Sequence, residues 1–303
     1  MARRERRALE LAERRKEKKS GKEARGTPPV ELLARKRKQY ADAWGETAAK
    51  LVRDGHYAWM ANRLGDSLPP TRRKVLEIGI GTGASTGVLL EKGWNVVGID
   101  ENVACLGVAH AIHSGILVLR GLPREAAPGV YSVDYDECTH PGVALAGPGS
   151  AKGPADLSRL LLIEGDLAAD PGLTRALVDA GPFDAVACWL IDTHDARAQD
   201  ARIQSIGIRD AAEYRLGMQR LVYLLSDTVL HPGGVLQIVD DVAESRAPPG
   251  VSEATAAGLL RLRSGLARGT SLELLSLDTR GSFVSIRSRR EPSTVQGGAS
   301  STR

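Results

Sequence analysis

The chain has 303 residues, 42% of them apolar, and a formal net charge of +4. That length suits one large domain with tails or two small domains. No apolar run reaches the roughly 18 residues of a membrane span, and the N-terminus lacks the apolar stretch of a secretory signal. Cys105, Cys138 and Cys188 are widely spaced, so neither a disulfide frame nor a zinc site is expected and a reduced, cytoplasmic setting is.

Residues 1–40 hold 15 Lys/Arg and 6 Asp/Glu, a balance of +9, and the remainder holds 26 and 31, a balance of −5. Two readings of this basic arm stand. It is a solvated charged tail, or residues 1–38 lie along RNA phosphates, where counterion release favours binding. The Pro28–Pro29 pair marks a boundary after residues 1–27. Residues 28–70 then read as a helical cap, with Leu32, Leu33, Tyr40, Trp44, Ala48 and Leu51 at helical spacing and a break at Gly55. Tyr40, Trp44, His56 and Tyr57 concentrate aromatic rings in a chain that is only 4% Phe, Tyr and Trp. They are candidates for a lid over a ligand, or for ordinary packing of an amphipathic helix.

From residue 71 strands alternate with helices. Strands are expected at 74–78, 95–99, 160–164, 184–191 and 235–239. Helices are expected at 84–92, 101–113, 171–180 and 210–230, the last with Leu216, Leu221, Leu224 and Leu225 on its apolar face. A further helix over about 253–266 leads to an antiparallel hairpin, 272–277 with 283–286. Alternation of this kind implies parallel pairing with helical crossovers. The expected fold is therefore a doubly wound, mostly parallel seven-stranded α/β sheet over 71–287, with helices on both faces, a terminal antiparallel hairpin and an N-terminal helical extension. Residues 115–158, rich in Gly, Pro and Ala, read as an insertion, and 288–303 as a disordered tail.

The first strand runs into Gly79-x-Gly81-x-Gly83 and then a helix. Glycine lets the chain turn sharply and lets a ligand approach the backbone, and the helix start welcomes a carboxylate or a phosphate. The same stretch fits the dinucleotide pattern G-x-G-x-x-A, with Asp100 placed to meet a ribose. Glu77 argues against a pyrophosphate, because its carboxylate would repel one and attract a cationic ligand. Asp166, after the third strand, is a candidate acceptor for an adenine amino group. Asp100 and Asp166 are equally the residue type that fills turns and helix caps.

The segments VLEIGIGTGAST (75–86), VVGIDEN (96–102), LLLIEGDL (160–167), FDAVACWLID (183–192) and HPGGVLQIVDD (231–241) resemble, in order, the motifs of class I S-adenosylmethionine-dependent methyltransferases. The resemblance implies S-adenosylmethionine as methyl donor and S-adenosylhomocysteine as product. It implies that Glu77, Gly79, Gly81 and Gly83 face the methionine part, and that Asp100 with Glu101 meets the ribose. Asp166 and Leu167 would then frame the adenine, and the chain at Trp189 would line the sulfonium. The Asn/Asp-Pro-Pro-Tyr tetrad of many amino-group methyltransferases is absent, which argues against an exocyclic adenine or glutamine-type acceptor. In its place stand Asp192 and His194, candidate general bases, although a lone loop histidine equally serves as a hydrogen-bonding group.

His110, His113, His140 and Cys138 match no ligand spacing, so no metal is expected. A small-molecule or protein acceptor is expected, with no membrane partner, and the oligomeric state is open. An RNA acceptor, a non-catalytic S-adenosylmethionine-binding protein and a nicotinamide oxidoreductase are the alternatives.

Overall fold

The computed structural model describes residues 29–120, 130–133, 159–191, 203, 211–241 and 264–291. Its strands are β1 (Lys74–Ile78), β2 (Asn95–Asp100), β3 (Ile116–Arg120), β4 (Val130–Val133), β5 (Leu160–Glu164), β6 (Phe183–Trp189), β7 (Leu230–Asp241), β8 (Leu272–Arg280) and β9 (Phe283–Arg290). The helices are α1 (Pro29–Arg53), α2 (His56–Gly65), α3 (Ala84–Glu91), α4 (Val103–His113), α5 (Pro171–Ala180) and α6 (Ala211–Val229). The strands form one sheet in the order β4-β3-β5-β2-β1-β6-β7-β9-β8. All pairs are parallel except β7–β9 and β8–β9.

The seven expected strands are present, the last two as an antiparallel hairpin. Two more, β3 and β4, widen the sheet to nine and lie inside the stretch read as an insertion. Ile116-Leu117-Val118-Leu119 is an apolar run short enough to be missed beside the Gly- and Pro-rich chain that follows it. Residues 121–129, 134–158 and most of 253–266 lie outside the described residues, as do residues 1–28 and 292–303. At the C-terminal end β9 runs to Arg290, past the expected domain limit at 287.

Side chains alternate across each strand and feed two cores. On one face Val75, Val96, Ala185, Ala187 and Trp189 pack under α1, α2, α3 and α4. On the other Leu76, Ile78, Val186, Cys188, Leu236 and Ile238 pack under α5 and α6. Strand β6, next to the central β1, is buried along its whole length, as expected for a parallel strand covered on both sides. The buried stripe of α6 differs from the expected one. Tyr214, Met218, Val222, Leu225 and Val229 are buried at spacings of three and four, whereas Leu216 and Leu224 are exposed. At about 100° per residue Leu216 points nearly opposite to that stripe.

The helical cap is part of this packing. Gly55, at φ 70°, breaks it into α1 and α2 as expected. The Arg280 guanidinium donates to the carbonyls of Asp54 and Gly55 there, satisfying acceptors at the end of α1. Arg287, paired with Asp278, donates to the Arg63 carbonyl. Ala48, Leu51, Tyr57, Met60 and Leu64 lie in the same core as the sheet residues.

Gly83 and Gly93 both have strongly positive φ. A Cβ on Gly83 would sit 2.7 Å from the Ala109 Cβ, while one on Gly93 meets nothing within 4 Å. Gly93→Ala is expected to cost about 1–2 kcal/mol, the backbone penalty alone. Gly83→Ala adds about 1–3 kcal/mol of overpacking to that. Urea titrations of both variants check the difference, which equal losses would contradict.

Candidate functional site

The order in which strands are added reverses beside β1, which pairs in parallel with β2 on one side and β6 on the other. A crevice outside the carboxyl ends of the strands is the usual ligand site at such a point. An open cavity lies there. Gly79 and Gly81 come to it from the β1 turn, Asp100, Glu101 and Asn102 from the end of β2, and Gly165, Asp166 and Leu167 from the end of β5. Leu190 and Ile191 follow β6, Tyr40 and Trp44 come from α1, and Tyr214 and Met218 from α6. Six of the nine expected cofactor residues and two of the four expected lid residues therefore meet in one place.

Asp100 organises the crevice. One carboxylate oxygen accepts from the Gly81 N–H at 2.8 Å and the other from the Asn102 N–H at 2.8 Å. The turn residue it resembles in the sequence is thus also what it is in the structure, and it still faces the cavity. Three other donors of the glycine turn are used as well. The N–H groups of Gly79 and Ile80 reach the Ile99 carbonyl, and that of Gly83 reaches the Ile80 carbonyl. A Cβ on Gly81 would come within 2.3 Å of the Trp44 indole nitrogen. That glycine is required by the close approach of α1.

Glu77 does not line the cavity. It is 2% exposed beneath the glycine turn, on the sheet face that carries α2 and α3. Its register neighbours are the small residues Gly98 and Ala187, which leave it room. Thr86 Oγ1 donates to it at 2.7 Å. Burial pushes its carboxyl up to about 7, and hydrogen bonds from Ser85 and Thr86 oppose that rise. Tyr57 lies close by, 2% exposed. Its phenol is pushed up by burial first and by the Glu77 charge second.

Trp189 turns into the core, away from the cavity. Its ring stacks on Tyr57 at 6.3 Å, and its indole N–H donates to Gln237, which donates to Ser285. The chain at the end of β6 reaches the cavity through Leu190 and Ile191 instead. Leu190 holds a φ of 55°, an uncommon conformation for a non-glycine residue. Gly83 is a packing residue against Ala109. His56 packs against Phe283 at 4.4 Å between ring centres, and its Nδ1 is buried with no hydrogen bond. Asp192 and His194 lie outside the described residues.

Asp166 bends its own turn, accepting from the Ala168 N–H at 2.9 Å. Glu101 is held by Arg37 of α1 at 2.7 Å, and the Asn102 side chain donates to the Arg37 carbonyl. Both contacts draw α1 over the end of β2. Sequence reasoning missed Asn102, Leu190, Ile191, Tyr214 and Met218. The N-cap pattern at Asn102, whose side chain accepts from the Ala104 N–H, was the one local signal available for any of them. Among the described residues no group of three His, Cys, Asp or Glu is arranged to hold a metal, and no helix is long and apolar enough to cross a membrane.

No family model matches the chain, and no curated protein sequence matches it. Solved structures of similar fold include methyltransferases. A variant of the 16S rRNA (adenine(1408)-N(1))-methyltransferase from Catenulisporales acidiphilia is 14% identical, over 78% of this chain and 90% of that one, with a TM-score of 0.41. The N-methyltransferase NodS from Bradyrhizobium japonicum, in complex with S-adenosylhomocysteine, is 12% identical over 79% and 87%, with a TM-score of 0.43. The glycopeptide N-methyltransferase MtfA, complexed with S-adenosylmethionine, is 16% identical over 77% and 92%, with a TM-score of 0.40.

Because the Glu77 carboxyl sits above its ordinary value in the folded chain, folding takes up a proton between that value and about 7. Stability is therefore greatest below this window and falls as pH rises through it. Glu77→Gln keeps an acceptor for Thr86 and removes the ionisation. Its urea midpoint is expected to exceed that of the wild type near pH 8 and to converge with it near pH 4. A constant offset at both pH values would contradict this account.

Proposed function

We propose that the protein transfers a methyl group from S-adenosylmethionine to a small molecule or a protein side chain. The observation that carries this reading is the state of the glycine turn. A dinucleotide site offers backbone N–H groups to a pyrophosphate. Here the Gly79, Ile80, Gly81 and Gly83 N–H groups are already taken, the one from Gly81 by a carboxylate. Asp100, Glu101 and Asp166 all border the same cavity. Such a crevice repels a phosphate bridge and suits a donor that carries a sulfonium and an ammonium.

When bound, S-adenosylmethionine supplies a methyl group activated by positive sulfur. The chain's part is to bind, orient and exclude water. A carboxylate has about four acceptor sites, so Asp100 accepts from ribose hydroxyls while still holding Gly81 and Asn102, with Glu101 beside it. Asp166 and Leu167 border the adenine, with Ile99 beneath. Gly79 and Gly81 leave the floor bare for the amino acid end, and Glu77 adds negative charge from below. Trp44 and Tyr40, with rings parallel within 5°, cover the crevice from α1. Asp192 and His194, in the chain that follows β6, remain the proposed general bases.

The second reading is an RNA acceptor, and it stands on the +9 balance of residues 1–40. A protein that binds cofactor without turnover is the third.

Titration calorimetry tests the donor assignment. S-adenosylhomocysteine is expected to bind and NAD not to. Asp100→Asn loses a charge-assisted acceptor worth about 1.5–3 kcal/mol, so affinity is expected to fall about 10- to 100-fold. Binding of NAD in preference to S-adenosylhomocysteine would reverse the reading. Fluorescence anisotropy with a single-stranded RNA separates the acceptors. For a small acceptor, deleting residues 1–27 leaves methyl transfer intact, while an RNA enzyme loses both salt-sensitive RNA binding and turnover.

A further inference from the structure

One face of α1 lies against the glycine turn. Arg37, Tyr40, Trp44, Ala48 and Leu51 fall at spacings of three and four, and so share that face. Both flanks of Trp44 are anchored. On one side Arg37 pairs with Glu101 at 2.7 Å, and its carbonyl accepts from the Asn102 side chain. On the other, Ala48 and Leu51 are buried in the core. The Tyr40 ring lies parallel to the Trp44 indole one turn away. The indole is therefore held in place, and its N–H edge is the part nearest Gly81. A Cβ placed on Gly81 would lie 2.3 Å from Nε1 and 2.6 Å from Cδ1, but 3.4 Å from Cε2. Among the described residues nothing accepts from that N–H.

We infer that the Trp44 indole N–H binds the carboxylate at the amino acid end of the methyl donor. The inference rests on the reading of the crevice as an S-adenosylmethionine site. That end of the donor is expected over Gly79 and Gly81, and it carries an ammonium and a carboxylate. The ammonium needs acceptors and the carboxylate needs donors. A glycine turn ordinarily offers an anion its own amides. Here the Gly79, Ile80, Gly81 and Gly83 N–H groups are held within the protein. Trp44 brings a donor to the same floor from outside the turn.

The chemistry of the ring decides which charge it serves. An indole N–H donates and does not accept, and the rim of an aromatic ring is its positive part. The edge turned to Gly81 therefore suits an anion, whereas a cation would seek the ring face. A hydrogen bond to an ionised carboxylate is stronger than one between neutral groups. One neutral donor fits one carboxylate and does not replace the several amides that a pyrophosphate needs. A ring already held in place also loses little freedom on binding. Helix α1 is thus part of the donor site and not only its cover.

The test compares S-adenosylhomocysteine with the same molecule lacking its carboxylate, both titrated into the full chain. Trp44→Phe keeps an aromatic ring and removes the N–H. It is expected to weaken S-adenosylhomocysteine at least about tenfold, the loss of one charge-assisted hydrogen bond, and the decarboxylated ligand less than about threefold. A second measurement needs no variant to fold. In the NMR spectrum of the wild type, the Trp44 indole proton is expected to move downfield with S-adenosylhomocysteine and not with the decarboxylated ligand. The Trp189 indole proton, held by Gln237, is expected to stay in place. Equal losses for both ligands mean that the ring acts by packing, and they overturn the inference. So does tighter binding by Trp44→Phe, which means that the indole fills ligand space. A Trp44 proton that answers both ligands alike overturns it too. Any of these results, with S-adenosylhomocysteine bound by the wild type, sinks this inference alone. If the wild type binds neither ligand, the donor assignment falls and takes this inference with it.

Discussion

Much of the site hangs on one carboxylate. Asp100 stands at the end of β2 and takes the backbone N–H of Gly81 from the neighbouring strand's turn and that of Asn102 from the start of α4. It thereby fixes the distance between the first two strand ends and the path of the chain at both. It also sets the sign of the crevice, because a turn whose Gly81 N–H is held by a carboxylate, and whose Gly79, Ile80 and Gly83 N–H groups are held by carbonyls, offers an anion little to hold. The same interaction ties local structure to the crevice: the group that shapes the turn also borders the cavity.

The charge around Asp100 is arranged in depth. Glu101 is tethered to Arg37, Asp166 is folded into its own turn, and Glu77 is sealed beneath with a raised proton affinity. Burying a carboxylate among apolar residues is costly unless hydrogen bonds compensate, and Thr86 and Ser85 meet only part of that need. A cationic ligand above the turn would supply the rest. In this respect the site resembles a half-finished ion pair, with the protein holding the anionic half in place.

The sheet was largely legible because its signals are local. Apolar runs of five to seven residues bounded by Gly, Asp and Pro mark strands, and the Gly79–Gly83 spacing marks the turn. Side-chain direction was harder to read. Nothing in the sequence around Trp189 says that its ring faces Tyr57 and Gln237 while Leu190 and Ile191 line the crevice. That outcome follows from strand parity and from where β6 ends. Tyr214 and Met218 were invisible for a similar reason. They reach the crevice through the way α6 lies across the sheet, and the leucines of α6 were a poor guide to its buried stripe. Strand β3 was missed because the Gly- and Pro-rich chain after it dominated the reading of that stretch. Glu77 was read as a contact, whereas the structure makes it a buried support beneath the contact surface.

Trp44, Leu190 and Ile191 line both the crevice beside the glycine turn and a second cavity that Leu51 and Phe283 also line, and this partition has a thermodynamic consequence. A side chain that borders two chambers occupies one position at a time, so whatever displaces it for a guest on one side alters the fit on the other. Free-energy linkage of this kind is reciprocal: each guest changes the other's affinity by the same factor. Trp44 is the member of the partition carried by α1, and its indole rests against Gly81 at the floor of the opposite strand turn. Communication between the chambers thus needs no long route through the molecule, only the thickness of one ring.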